Sequence, residues 1–149
     1  MKLSRAEEAL ITRKRRQAAA RASRKAERRT RPGRQRDPGF LAFLRRLPCV
    51  AGMVEAGCSG PIEAAHIRFS DARAGRINPG MQAKPDDRWA TPLCRHHHQH
   101  DQHAGSERAF WERLGVDPGA LSTELFHAYL AGRDGRAVLR DYVGARRAA

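Results

Sequence analysis

Aromatic residues make up only 6% of this chain and hydrophobic residues 40%, so the core it can build is modest. A core of that size leans on a staple: a disulfide, a metal or a partner. Cysteine is scarce, with three in 149 residues, at Cys49, Cys58 and Cys94. An odd number argues against a disulfide framework and towards metal in a reducing compartment. Taken without the histidines, three buried thiols acting as small hydrophobes would explain them as well. Long apolar runs are missing, which excludes a membrane-spanning helix. The basic N-terminus turns charged at once in "AEEALITRKRR" and has no apolar segment of a secretory signal. A soluble, cytoplasmic protein with no membrane partner is the expectation. Negative charge is also in short supply. Against 29 Lys and Arg stand 16 Asp and Glu, giving a net +13 and an isoelectric point near 11.2. A polyanion is the expected partner, and nucleic acid is the commonest one.

The excess charge is concentrated at one end. Residues 1–37 hold fourteen Lys and Arg but four Asp and Glu, which is +10 of the total. Ala, Arg, Lys and Glu dominate this block and favour helix, yet no apolar stripe ties it to a core. It reads as a flexible, conditionally helical arm that grips phosphates without sequence preference, with Arg13, Lys14, Arg15, Arg16, Arg28 and Arg29 as candidate contacts. A merely solubilising tail is the bland alternative. The stretch "TRPGRQRDPG" over 30–39 reads as a linker.

Beyond it the chain alternates short elements. Phe40, Leu41, Phe43, Leu44 and Leu47 recur at helical spacing, and Pro48 stops that helix. A turn containing Cys49 and Cys58 runs into a strand over about 62–68. A polar loop rich in Gly and Pro spans 70–87 and is long enough to suggest a function. "RWATPLC" is a second strand, and "RHHHQHDQHAGSERAFWERLG" a helix broken near Gly105. Two short helices close the chain; His127, among Phe126, Tyr129 and Leu130, reads as a packing or surface residue. The organisation is a basic arm at 1–37, a metal-stapled core at 38–115 and a helical extension at 116–149.

What is abundant is histidine in one place: five of the seven lie in "ATPLCRHHHQHDQH", residues 90–103. Cys94 and His97 are spaced C-x2-H where a strand enters a helix, which lets both side chains converge on one tetrahedral metal. Cys49 and Cys58 are the remaining thiols, so a Cys3His zinc site would use every cysteine. Their C-x8-C interval is unusual and requires "VAGMVEAG" to bulge out, which its two glycines permit. On an ideal helix His96, His100 and His103 share a face, and His98 points elsewhere, near Asp101. His66 ends the preceding strand. Two antiparallel strands and a helix pinned by zinc would bring it towards His98. A strand histidine taking a proton from water, beside a helix histidine holding a divalent metal, suits hydrolysis of a phosphodiester.

The ordered combination of "AAHIR", "KPDDRW", "PLCRHHH" and "QH…SERAFW" over roughly residues 40–120 resembles the HNH endonuclease superfamily. More narrowly it resembles phage and prophage HNH proteins related to Ref, the recombination-enhancement nuclease. The resemblance implies an α+β, treble-clef-like ββα-metal core stapled by zinc, with flanking helices and a basic arm. It implies a metal-dependent DNA endonuclease of little sequence specificity. His66 matches the general base, Asp87 the middle residue that shapes its loop, His98 the last metal-binding histidine and His103 a further metal ligand. Cys49, Cys58, Cys94 and His97 match the zinc knuckles. Structural Zn2+ and a catalytic Mg2+ or other divalent metal are the implied cofactors; DNA, and a recombinase filament presenting it, are the implied partners. Two departures stand out. Ala65 occupies a position that often carries a metal ligand, leaving His100, His103, Asp71 or Asp86 to complete the shell. The interval from Cys94 to His103 is also one residue longer than the pattern leads one to expect. The competing reading is a catalytically inactive, zinc-stabilised nucleic-acid-binding module.

Overall fold

The computed structural model describes residues 5–30, 33–72, 75–76 and 84–147. Side chains at 6–8, 11, 24–30 and 146–147 are not described, so the expected phosphate contacts of Arg28 and Arg29 lie outside the described side chains. The chain forms two compact units, Met1–Gly33 and Arg34–Ala149. The first is one helix, α1 (Arg5–Thr30), 26 residues long. At 1.5 Å per residue that is about 39 Å of rod. Its described side chains are exposed, Leu10 included. The alanine-rich sequence is helical over this range, as strong helix propensity allows.

The second unit is a small mixed α/β fold: α2 (Pro38–Leu44), a 3-10 turn at Ala51–Met53, β1 (Ile62–His66), β2 (Ala90–Cys94), a π-helical turn at His97–Asp101, then α3 (Glu107–Leu114), α4 (Pro118–Leu130) and α5 (Gly135–Arg147). The strands are antiparallel, with Ile62 opposite Cys94 and His66 opposite Ala90. They stop short of the expected ends: Ile67 N–H still bonds to Trp89 O, but regular pairing ends at His66. β2 is buried along its whole length, and β1 buries fully only Ala65. Pro92 is tolerated in β2 because its carbonyl, the one polar group it offers, accepts Val50 N–H at 3.0 Å.

Helix boundaries follow capping chemistry. Asp37 caps α2 by accepting Phe40 N–H at 2.9 Å with Pro38 behind it, and Asp117 caps α4 ahead of Pro118. Ser106 caps α3, and Gly115, at φ 63°, ends it in the left-handed conformation that glycine adopts without strain. Phe40 and Leu44 of α2, Leu93 of β2, Phe110 and Trp111 of α3, Leu121 and Leu125 of α4 and Leu139 of α5 share one core. The last two helices are therefore part of the same unit as the strands.

The four residues preceding α2 belong to this unit, not to the basic arm. Gln35 exchanges backbone and side-chain bonds with Asp86 and Asp87, and Asp37 N–H donates to Asp87 Oδ2 at 2.9 Å. A stretch that composition marks as linker is in fact a strap over the entry to β2. No described helix is long and apolar enough to cross a membrane.

Candidate metal centre and histidine cluster

Cys94 ends β2, and the chain turns directly into helix, so His97 comes round one turn later with its Nδ1 3.1 Å from the Cys94 sulfur. The same nitrogen is 3.4 Å from Cys49 Sγ and 3.6 Å from Cys58 Sγ. All four ligand atoms lie within 4.8 Å of one another. The C-x8-C interval is handled as its glycines allow. The 3-10 turn carries the chain away from Cys49, Gly57 (φ 106°) turns it back to Cys58, and Gly60 (φ 78°) precedes β1, both in conformations that other residues resist. Gly52 lies against the Cys58 sulfur, where a Cβ would collide with it. His96 N–H to Ser59 O and Arg95 N–H to Pro61 O then stitch the knuckle to the turn after β2.

The chemistry of this donor set fits a bound cation. Burial and the adjacent Cys49 push the Cys58 thiol up to about 12, and burial raises Cys49 as well. Burial also opposes ionisation of Cys94, but hydrogen bonds from the backbone of His97 and Ser59 outweigh it and bring that thiol down to about 7. Three sulfurs so close together cannot all ionise without positive charge between them, which a metal supplies. His97 is held from its other side: Nε2 lies 3.9 Å from Glu55 Oε1 and 3.7 Å from Asp101 Oδ2. At these distances the two carboxylates flank the ring without a direct hydrogen bond and place negative charge behind a ligating imidazole. Glu55 is anchored in turn by Arg113 of α3, which holds its carboxyl below the usual range. The cluster could therefore hold a metal ion with Cys49, Cys58, Cys94 and His97 as ligands.

His66, at the end of β1, meets Asp87 from the loop before β2: Nε2 to Oδ1 is 2.9 Å. Asp87 is almost wholly buried and is restrained from three further sides, by Asp37 N–H, by the Arg34 guanidinium and through its own N–H to Gln35 O. Burial alone would raise its carboxyl, but the bonds from His66, Asp37 and Arg34 win and lower it. An ionised Asp87 accepts a hydrogen bond from Nε2–H, which leaves Nδ1 as the basic nitrogen of His66. Burial depresses the His66 pKa below its ordinary 6.5 against the pull of Asp87, and Arg34 and Lys84 add positive charge that acts in the same direction as burial. The ring is thus neutral and able to accept a proton at neutral pH.

The helix that carries the remaining histidines departs from ideal spacing. Gln102 N–H bonds to His97 O at 2.9 Å, a five-residue closure that defines a π turn. This accommodates the extra residue between Cys94 and His103. It also changes which histidines meet. His98 and His103, five apart, come together with ring centroids 5.0 Å apart. His96 and His100 stack at 5.3 Å. The expected grouping of His96, His100 and His103 on one face is therefore corrected. Asp101 faces His96 and His97, not His98. Instead Glu63 of β1 takes His98: Nδ1 to Oε2 is 2.7 Å. Bonds from His98, Arg95 and Gln99 hold the Glu63 carboxyl down at about 2. Of the residues considered as companions to His98, His103 alone is seen beside it. Asp71 faces Arg76, and Asp86 accepts Gln35 N–H. Among the described residues no third donor converges on His98 and His103 within mutual ligand distance.

Arg34 and Glu63 were missed by sequence reasoning. Strand alternation could have found Glu63, which shares a strand face with Ala65 and so supplies a carboxylate near the position where Ala65 has none. Nothing in "RPGRQRDPG" marks Arg34. Gln102 is also buried, donating to Glu107 at 2.8 Å and to His66 O at 3.4 Å, and ties the π turn to the end of β1. No family model, curated protein or solved structure matches this chain.

Proposed function

We propose that the chain is a metal-dependent DNA endonuclease of the HNH kind, with a zinc-stapled ββα-metal core and a basic arm that grips the phosphate backbone. The observation that carries this reading is the His66–Asp87 pair, an imidazole at the end of a strand oriented by a buried carboxylate. His66 Nδ1 takes a proton from the attacking water, and Asp87 keeps the ring in the right tautomer and stabilises the imidazolium that results. Zinc is the metal that a Cys3His set favours, and its place is structural, since all four positions are filled by protein. His98, backed by Glu63 and adjacent to His103, would hold a divalent cation. Such an ion supplies charge stabilisation for the phosphorane and the leaving oxygen.

The test is nicking of supercoiled plasmid by zinc-loaded protein with Mg2+, Mn2+ or no added metal, together with a single-stranded substrate. Metal-dependent cleavage is expected. Folded, zinc-loaded protein that cleaves neither DNA in any metal would overturn the reading. One observation favours the second reading, a zinc-stabilised nucleic-acid-binding module without catalysis: the pair His98 and His103 lacks a converging third donor among the described residues. That module retains DNA with a steep salt dependence and leaves it uncut.

Glu63→Gln bears on the same cation. If Glu63 orients His98, the variant should bind Mn2+ about 10- to 100-fold more weakly, read directly by electron paramagnetic resonance, with the zinc content unchanged. Equal Mn2+ affinity would remove Glu63 from the site. For the arm, deletion of residues 1–33, which spares Arg34, should weaken DNA binding and flatten its salt dependence by about 0.9 in slope for each phosphate that the arm neutralises. Anisotropy titrations across salt concentrations decide it; an unchanged slope would make the arm a bystander.

A further inference from the structure

Arg34 is the first residue of the second unit, directly after the basic segment ends at Gly33. Its guanidinium reaches Asp87 and comes within 3.4 Å of His66 Nε2. Because Nε2 keeps its proton and donates a hydrogen bond to Asp87, that second approach brings two donors together and is not a bond. Asp87 does not need Arg34 to be satisfied, since His66 fills Oδ1 and Asp37 N–H fills Oδ2. The arginine fork is meanwhile underused. Nη2 serves Asp87, and among the described residues neither the buried Nε nor Nη1 has a partner. The side chain remains 26% exposed where Asp87 is 3% exposed. A guanidinium whose Nη1 is idle, on a side chain partly open to solvent beside a base, can receive an anion's oxygen without leaving Asp87.

We propose that Arg34 is a catalytic residue that anchors the scissile phosphate, one arm of its fork on Asp87 and the other on a non-bridging oxygen. This rests on the nuclease reading and names how its substrate is seated. It also gives the strap a purpose. The strap holds this cation against the base from within the second unit.

The experiment uses the full, zinc-loaded chain with Arg34→Ala and Arg34→Lys, whose melting temperatures and zinc content are compared with wild type first. Single-turnover cleavage of an oligonucleotide should fall about 100-fold in Arg34→Ala, the order of effect for losing one donor to developing charge. Arg34→Lys, which keeps the charge and loses the fork, should recover binding but not the full rate. If Arg34 acted only by keeping His66 unprotonated, its removal would raise the pKa of the base, and the full rate would return at higher pH. That outcome would overturn the anchor, as would wild-type cleavage by Arg34→Ala. A second arm needs no catalysis. Without added divalent metal, the Arg34 Nε–H resonance, assigned by its loss in Arg34→Lys, should shift on titration with a short oligodeoxynucleotide. A resonance that stays put at saturating DNA overturns the proposal, whatever the cleavage assay shows. A wild type that shifts this resonance yet cleaves nothing overturns the nuclease reading alone and leaves Arg34 as a backbone-phosphate contact.

Discussion

Cys94→Ser should leave the second unit without a stable fold at 25 °C. The site draws on four separate places in the chain: the turn after α2, the far side of the knuckle, the last residue of β2 and the first turn after it. Zinc binding contributes about 10–16 kcal/mol to comparable structural sites, whereas whole domains are stable by about 5–15 kcal/mol. Losing one thiolate from such a set does not merely trim stability. It leaves one buried and one exposed sulfur and a buried imidazole facing each other without the charge that reconciles them. Residues 55–61 show why nothing else takes over: their side chains are half-buried or exposed, so the knuckle has no apolar reason to close. A circular-dichroism melt and a zinc determination on the purified variant check this. Chelation of the wild type should reproduce the loss, and added zinc should reverse it. An unchanged melt with one zinc still bound would show that Cys94 is not a ligand and that the core stands unaided.

The parts of this site that the sequence exposes are those governed by local spacing. C-x2-H at a strand end and the use of every cysteine are visible without coordinates, and the four residues they name do converge. His66 stands out because it ends a strand in a chain with few histidines elsewhere. What stays hidden is set by long-range contact or by departure from ideal period. The grouping of His96, His100 and His103 assumes 3.6 residues per turn, and one π closure at His97 is enough to pair His98 with His103 instead. Arg34 hides because Pro, Gly and Arg together describe a linker by composition. Only the backbone bonds of Gln35 and Asp37 to the Asp86–Asp87 corner show that the stretch is folded down. The same bonds explain why the charged arm and the folded unit divide four residues earlier than composition suggests.

His66→Ala should slow DNA cleavage by about 10²- to 10⁴-fold, the span that a positioned general base supplies, while zinc content and melting temperature stay at wild-type values. The ring is partly buried and contributes little apolar contact, so its removal tests chemistry more than folding. The pH dependence sharpens the claim. The base works only when unprotonated, and burial sets its pKa below 6.5 with Asp87 opposing and Arg34 and Lys84 assisting. The wild-type rate should therefore be flat through neutrality and fall only as the pH drops below that value. In His66→Ala this acid limb should vanish together with most of the rate. Asp87→Asn probes the orienting role. An amide can donate to Nε2 as readily as accept from it, so the proton can move to Nδ1 and the wrong nitrogen becomes basic. Its rate should fall even though the side chain keeps its shape, and the double variant should be slower than His66→Ala only by what Asp87 contributes through Arg34, because the orienting of the ring has nothing to act on once the ring is gone. Fully additive losses in the double variant would separate Asp87 from His66 and assign the carboxylate to holding Arg34 and its loop. Full activity in His66→Ala would place the base elsewhere and remove the observation on which the nuclease reading stands.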